Sequence, residues 1–101
     1  MNRLAPRRWE LRLGDELLAE LTFESFETPW IDVSVLARPG LERFQRSFHP
    51  VELWPDADPV FDAMLVEVDQ RGGFILIPDD GAPTSAFTLV NLDEHGANLR
   101  Y

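Results

Sequence analysis

The chain has 101 residues, 45% of them apolar and 11% aromatic, with eighteen acids against nine arginines, no lysine and a net charge of −9. That much apolar side chain excludes a disordered or fibrous protein, and the length suits a single domain. No apolar run approaches the roughly 20 residues that a membrane-spanning helix needs.

The charge is uneven. Residues 1–8 hold Arg3, Arg7 and Arg8 and no acid, whereas residues 50–101 hold two arginines and ten acids. An acidic half of this kind repels nucleic-acid phosphates and anionic lipid headgroups, so neither is an expected partner. It serves solubility, or it attracts a basic protein. The absence of cysteine removes disulfides, thiolate chemistry and cysteine-ligated zinc, and agrees with a cytoplasmic location. The first nine residues are basic with no apolar stretch behind them, unlike a secretory signal. Residues 1–7 are expected to form a flexible end and residues 8–101 one domain.

Arg8 to Leu13 alternates, with Trp9, Leu11 and Leu13 on one face and Glu10 and Arg12 on the other, which predicts a half-buried strand. Gly14-Asp15-Glu16 makes a turn, and Leu17 to Phe23 alternates again, with Leu17, Ala19, Leu21 and Phe23 inward. Two such runs across a short Gly-containing link read as a hairpin. A loop with Glu24, Glu27 and Pro29 follows, and Ile31 to Leu36 gives a third strand with Ile31, Val33 and Val35 inward. Beyond the break at Pro39-Gly40, Leu41, Phe44 and Phe48 recur at spacings of three and four. They mark one face of a short helix, ended by Pro50.

The second helix has stronger punctuation. Asp58 suits the N-cap, Pro59 the first helical position, and Gly72-Gly73 the stop after Arg71. Val60, Phe61, Met64, Leu65 and Val68 share a wide face. Asp62 and Asp69 lie beyond one edge of it, Glu67 and Arg71 pair at i,i+4 beyond the other, and Val66 sits amid the polar face. Phe74 to Ile77 is apolar on both sides and reads as a central strand. After the turn Pro78 to Gly81, Ser85 to Leu92 gives a fifth strand and Ala97 to Tyr101 a sixth. The order βββ-αα-βββ predicts an α+β fold: an antiparallel sheet of about six strands, with one short and one longer helix packed on one face.

Chemistry is sparse in this pattern. His49 and His95 stand in no metal-ligand or catalytic spacing, and Asp93, Glu94 and His95 read as a solvated turn. Asp56, Asp58 and Asp62 lack the spacing of a calcium loop and serve helix capping; Asp79-Asp80-Gly81 is turn chemistry. Gly72-Gly73 follows a helix, whereas a phosphate cradle opens one. No catalytic residue, cofactor or metal ligand is therefore expected. Large aromatics at loops and element ends, above all Trp30 and Trp54, either plug the sheet or anchor a partner. Asp56, Asp58, Asp62 and Asp69, with Glu52 nearby, form an acidic face, while Arg38, Arg43 and Arg46 make a separate basic cluster.

The pattern Trp9-x-Leu11, Gly14-Asp15, Leu18-Ala19-Glu20-Leu21, Pro29-Trp30, Phe87-x-Leu89, Leu92-Asp93 and Arg100 resembles a group of uncharacterised small acidic α+β proteins of high-GC bacteria. The resemblance implies one complete small domain. Its motif consists of core and turn residues, so it transfers no functional residue. The functional expectation is a non-enzymatic, cytoplasmic protein-binding domain, in its most specific form an immunity- or antitoxin-type inhibitor of a basic protein. Partner-binding candidates are Trp30, Trp54, Asp56, Asp58, Asp62, Val66 and Asp69. The alternatives are a small-ligand binder or small enzyme with a cleft between helices and sheet, and a homodimer formed through Val66 or an open sheet edge.

Overall fold

The structure, a computed structural model, describes residues 7–101. Its strands are β1 (Arg8–Leu13), β2 (Glu16–Glu27), β3 (Trp30–Ala37), β4 (Phe74–Pro78), β5 (Thr88–Val90) and β6 (Gly96–Arg100). They form one antiparallel sheet in the order β4-β1-β2-β3-β6-β5. Between β3 and β4 come a 3₁₀ helix at Pro39–Phe48, a 3₁₀ turn at Val51–Leu53 and the α-helix α1 at Pro59–Gln70. The α+β class and the antiparallel sheet are as the sequence predicts. The flexible end expected at residues 1–7 lies outside the described residues except for Arg7, whose carbonyl accepts from the Phe23 N–H at 2.7 Å.

The sheet is a curled half-barrel rather than a flat layer. In a flat sheet β1 and β6, with two strands between them in the order, would lie roughly 14 Å from each other. Instead the Trp9 Nε1–H donates to the Tyr101 hydroxyl at 3.3 Å, and the two rings meet edge to face at 6.3 Å. Curling gathers the inward strand residues Trp9, Leu11, Leu13, Leu21, Val33, Leu76 and Leu99 into one cluster, which Leu41, Phe44 and Phe48 join from the 3₁₀ helix and Phe61 and Met64 from α1. Among the described residues no polar or charged residue is buried. None of their helices is long and apolar enough to cross a membrane.

Several local expectations are corrected, each by a tertiary effect. Pairing shifts between Leu11 and Arg12, so that Leu11 faces Ala19 while Arg12 faces Leu17. The extra residue, Leu18, turns inward and is fully buried beside Ala19, leaving Leu17 only half-buried. The segment expected as a loop is strand: β2 runs on to Glu27 after a second shift between Phe23 and Ser25. The first helix is 3₁₀ rather than α, yet it buries the predicted Leu41, Phe44 and Phe48.

Further along, Val60 is 77% exposed, not inward, because it lies about 90° from the centre of the face that Phe61, Met64, Leu65 and Val68 share. β4 ends the sheet rather than crossing its middle. Its two apolar faces have separate causes: Leu76 enters the core and Phe74 packs on Phe44 and Phe48, while Ile75 and Ile77 lie beside Arg12 and Glu10 of β1. β5 is shorter than predicted, because Thr84 first pairs with Leu76 before the chain crosses to β6.

α1 begins where the Asp58 carboxylate accepts from the N–H groups of Val60 and Phe61 at 3.0 and 3.1 Å. It stops at Gly72 and Gly73, both with positive φ, and the Gly73 N–H donates to the Val68 carbonyl at 2.9 Å. Gly96 opens β6 for a different reason: a Cβ there would lie 2.6 Å from the Val33 carbonyl oxygen. Two outcomes follow. Leu76→Ala should lower unfolding free energy by about 2–5 kcal/mol in urea titration. Gly96→Ala should also lower it, by forcing β6 away from β3, and a stability equal to wild type would contradict the close approach.

Candidate functional site

The half-barrel does not close evenly. Its end strands β4 and β5 do not pair with each other; the segment between them meets β4 at one point, where Leu76 and Thr84 exchange two backbone hydrogen bonds of 2.9 Å. Beyond that clasp the connecting segment leaves β4 for β5, and residues of both strands line an open groove of about 400 Å³. Its walls are Gly73 and Phe74 on the β4 side and Phe87 to Val90 on the β5 side. Ser85 lies between them, and Ser47, Phe48, His49, Pro50, Val51 and Trp54 supply the rest, from the end of the 3₁₀ helix and the turn after it.

Local structure holds this lining in place. Phe48 is buried against Phe74, with ring centres 4.7 Å apart. The Trp54 Nε1–H donates to the His49 carbonyl at 2.9 Å, and its ring meets Phe61 edge to face at 5.3 Å. Trp54 is thereby both a plug and a groove wall. Val51 and Leu53, on the 3₁₀ turn, are 67% and 68% exposed.

The predicted site residues do not form one surface. Asp62, Val66 and Asp69 share the outer face of α1, where Val66 is 54% exposed between the two acids. Asp56 is exposed before the helix. Asp58 is not part of an open acidic face: it caps α1 and meets Arg46 at 3.5 Å. Trp30 lies away from the others, in a shallow pocket with Glu27, Thr28, Asp32, Asn91 and Asn98, and the Arg100 guanidinium sits 5.2 Å from its ring centre. The groove residues Phe48, Val51, Phe74 and Phe87 were not singled out from sequence. Their one signal was the aromatic content around residues 44–54, which reads equally well as core.

The expected basic cluster is neutralised. Arg38 pairs with Glu20, Arg43 with Glu67 and Arg46 with Asp58. Arg71 bridges Glu67 at 3.2 Å and Glu16 at 3.1 Å, and also donates to the Leu13 carbonyl at 3.1 Å, tying α1 to the first hairpin. Hydrogen bonding from Arg43, reinforced by Arg71, holds the Glu67 carboxyl below its ordinary 4.5. The Phe61 N–H, with that of Val60, does the same for Asp58 against an ordinary 3.8. In the last turn Asp93 accepts from the N–H groups of His95 and Gly96 and is also lowered. Asp93 is therefore a turn-forming residue. No three of His, Asp and Glu gather as a metal site among the described residues.

Comparison with protein-family models, with curated proteins and with solved structures finds no match to this chain.

The lowered carboxyls have a consequence for stability. Each has a folded pKa below its unfolded one, so its contribution is complete above the ordinary value and fades as pH falls through the folded pKa. Urea midpoints should therefore be level from about pH 7 to pH 5 and drop below about 4.5, as Glu67, Asp58 and Asp93 take up protons. Glu67→Gln should be less stable than wild type near pH 7 and show a shallower acid decline. An unchanged acid limb would remove Glu67 from the account.

Proposed function

We propose that this chain is a non-enzymatic protein-binding domain whose partner is basic. The observation that carries the reading is the aromatic-walled groove between the end strands, edged by the exposed Val51 on a strongly acidic chain. Large rings in a groove supply anchoring area, while opposite net charge raises the rate of encounter. Most cations are already used internally: Arg8, Arg12, Arg38, Arg43, Arg46 and Arg71 each meet a carboxylate within the chain. Asp56, Asp62 and Asp69 form no ion pair among the described residues. Their charge remains available to a partner. The specific version we favour is an inhibitor of immunity or antitoxin type, bound to a basic toxin in the cytoplasm.

Tagged protein incubated with lysate of its own source at low salt should retain a stoichiometric basic protein, released near about 0.5 M salt as screening shortens. Val51→Asp changes a solvent-exposed side chain and should weaken retention if the groove is the anchor. Val66→Asp should do so if the outer face of α1 carries the contact. Light scattering of the purified chain separates both from self-association, because a dimer would form without lysate. Retention of no stoichiometric protein at either salt would overturn the reading.

A further inference from the structure

We propose that the partner enters the groove as an extended segment and adds as a strand between β4 and β5, with apolar residues at alternate positions and basic residues between them. The proposal rests on the protein-binding reading and specifies the form of the contact. Three observations carry it.

First, backbone groups face the gap. In an antiparallel pair, the N–H and C=O of one residue point to the same side, and residues two apart point alike. Both groups of Leu76 point at Thr84, so those of Phe74 point the same way, into the part of the gap where the neighbouring chain has swung off to β6. β5 pairs with β6 along one edge only, and with the same period it directs alternate backbone groups into the gap. An incoming strand can satisfy both edges. The three residues of β5 give an edge of about 10 Å, enough for a short segment.

Second, the groove suits a strand's pleat. Successive side chains of an added strand point alternately down and up. Those pointing down meet Phe48, Trp54, Phe74 and Phe87, surfaces that favour aliphatic side chains. Strand addition of this kind takes affinity from main-chain hydrogen bonds and selectivity from the pockets for alternate side chains.

Third, the charge sets the side chains that point up. The groove belongs mainly to residues 47–90, and the exposed acids Glu52 and Asp56 lie next to its lining in the chain. Of the two arginines in residues 50–101, Arg71 is held by Glu16 and Glu67, and Arg100 is stacked on Trp30 away from the groove. Lysine or arginine at the outward positions is therefore favoured, and glutamate is disfavoured.

The test uses the full chain, labelled for amide NMR, and the capped peptide Lys-Val-Lys-Val-Lys-Val. Expected are shifts concentrated at Phe74, Phe87 to Val90 and the Trp54 indole N–H, with a Kd below about 5 mM. The counterpart with Glu in place of Lys should bind at least roughly tenfold more weakly. Methylating either set of alternate backbone nitrogens should weaken binding, since one phase faces β5 and the other faces β4. Val51→Asp serves as a folded control that alters only the groove edge, and it should shift the affinity without disturbing the remaining amides. Undiminished binding of both methylated peptides, shifts centred elsewhere, or no binding at about 5 mM would each overturn strand addition. If a stoichiometric basic protein is still captured in that case, strand addition fails while the protein-binding reading stands. If the peptide binds as expected and no protein is captured, the groove chemistry holds and the protein-binding reading fails.

Discussion

A sheet of six strands with one apolar face has to cover that face, and a chain of this length has no second sheet to do it. Curling is the solution adopted here, visible where Trp9 of β1 reaches Tyr101 beyond β6. The rest of the structure depends on that curl. The 3₁₀ helix and α1 then have only the open mouth of the curve left to fill, which they do with Leu41, Phe44, Phe48, Phe61 and Met64. Three aromatic rings, Phe44, Phe48 and Phe74, interlock where helix meets sheet. Burial of this kind is the largest favourable contribution in a small domain.

The same curl leaves its end strands mismatched. The segment before β5 meets β4 at the Leu76–Thr84 clasp, and β5 itself pairs only with β6. The groove is thus a consequence of how far a six-stranded sheet can bend while keeping its register. Its chemistry comes from core aromatics exposed by the gap, which is why the lining is apolar while the surface around it is acidic. Edge strands are usually shortened or charged to prevent unwanted pairing. β5 is short, but β4 brings an unbroken apolar run to its edge.

Electrostatics mainly stitches elements together. The chain Arg43–Glu67–Arg71–Glu16 links the 3₁₀ helix, α1 and the first hairpin, and Arg38–Glu20 ties the end of β3 to β2. These pairs are partly exposed, so each one is a modest contribution. Together they take up the cations that looked in the sequence like a basic patch, and they leave an acidic remainder on α1 and the residues before it.

Much of the local structure was legible in the residues. The alternation of Trp9, Leu11 and Leu13, the inward set of β3, the cap at Asp58, the stop at Gly72-Gly73 and the buried triad Leu41, Phe44 and Phe48 all follow from short-range periodicity and turn chemistry. So does the i,i+4 pair of Glu67 and Arg71. These features depend on neighbours within a few residues, and the sequence states those neighbours outright.

The misreadings share one cause. Leu18 is buried because β2 slips against β1, β2 extends to Glu27 because β3 pairs with it, and β4 ends the sheet because of the strand order. None of these is encoded in a window of adjacent residues. Among the candidate site residues, Val66, Asp62 and Asp69 were placed correctly on one exposed helix face, because helical geometry alone decides it. The groove could not be read in advance: it joins residues from positions 47 to 54 with residues 73 to 90, and only the curl of the sheet and the crossing from Thr84 to β5 bring them together. The sequence by itself determined the acidic charge, the strand and helix faces and their caps, since those rest on composition and local period. Tertiary structure decided the register, the edges and the gap between them, since those rest on contacts between residues far apart in the chain.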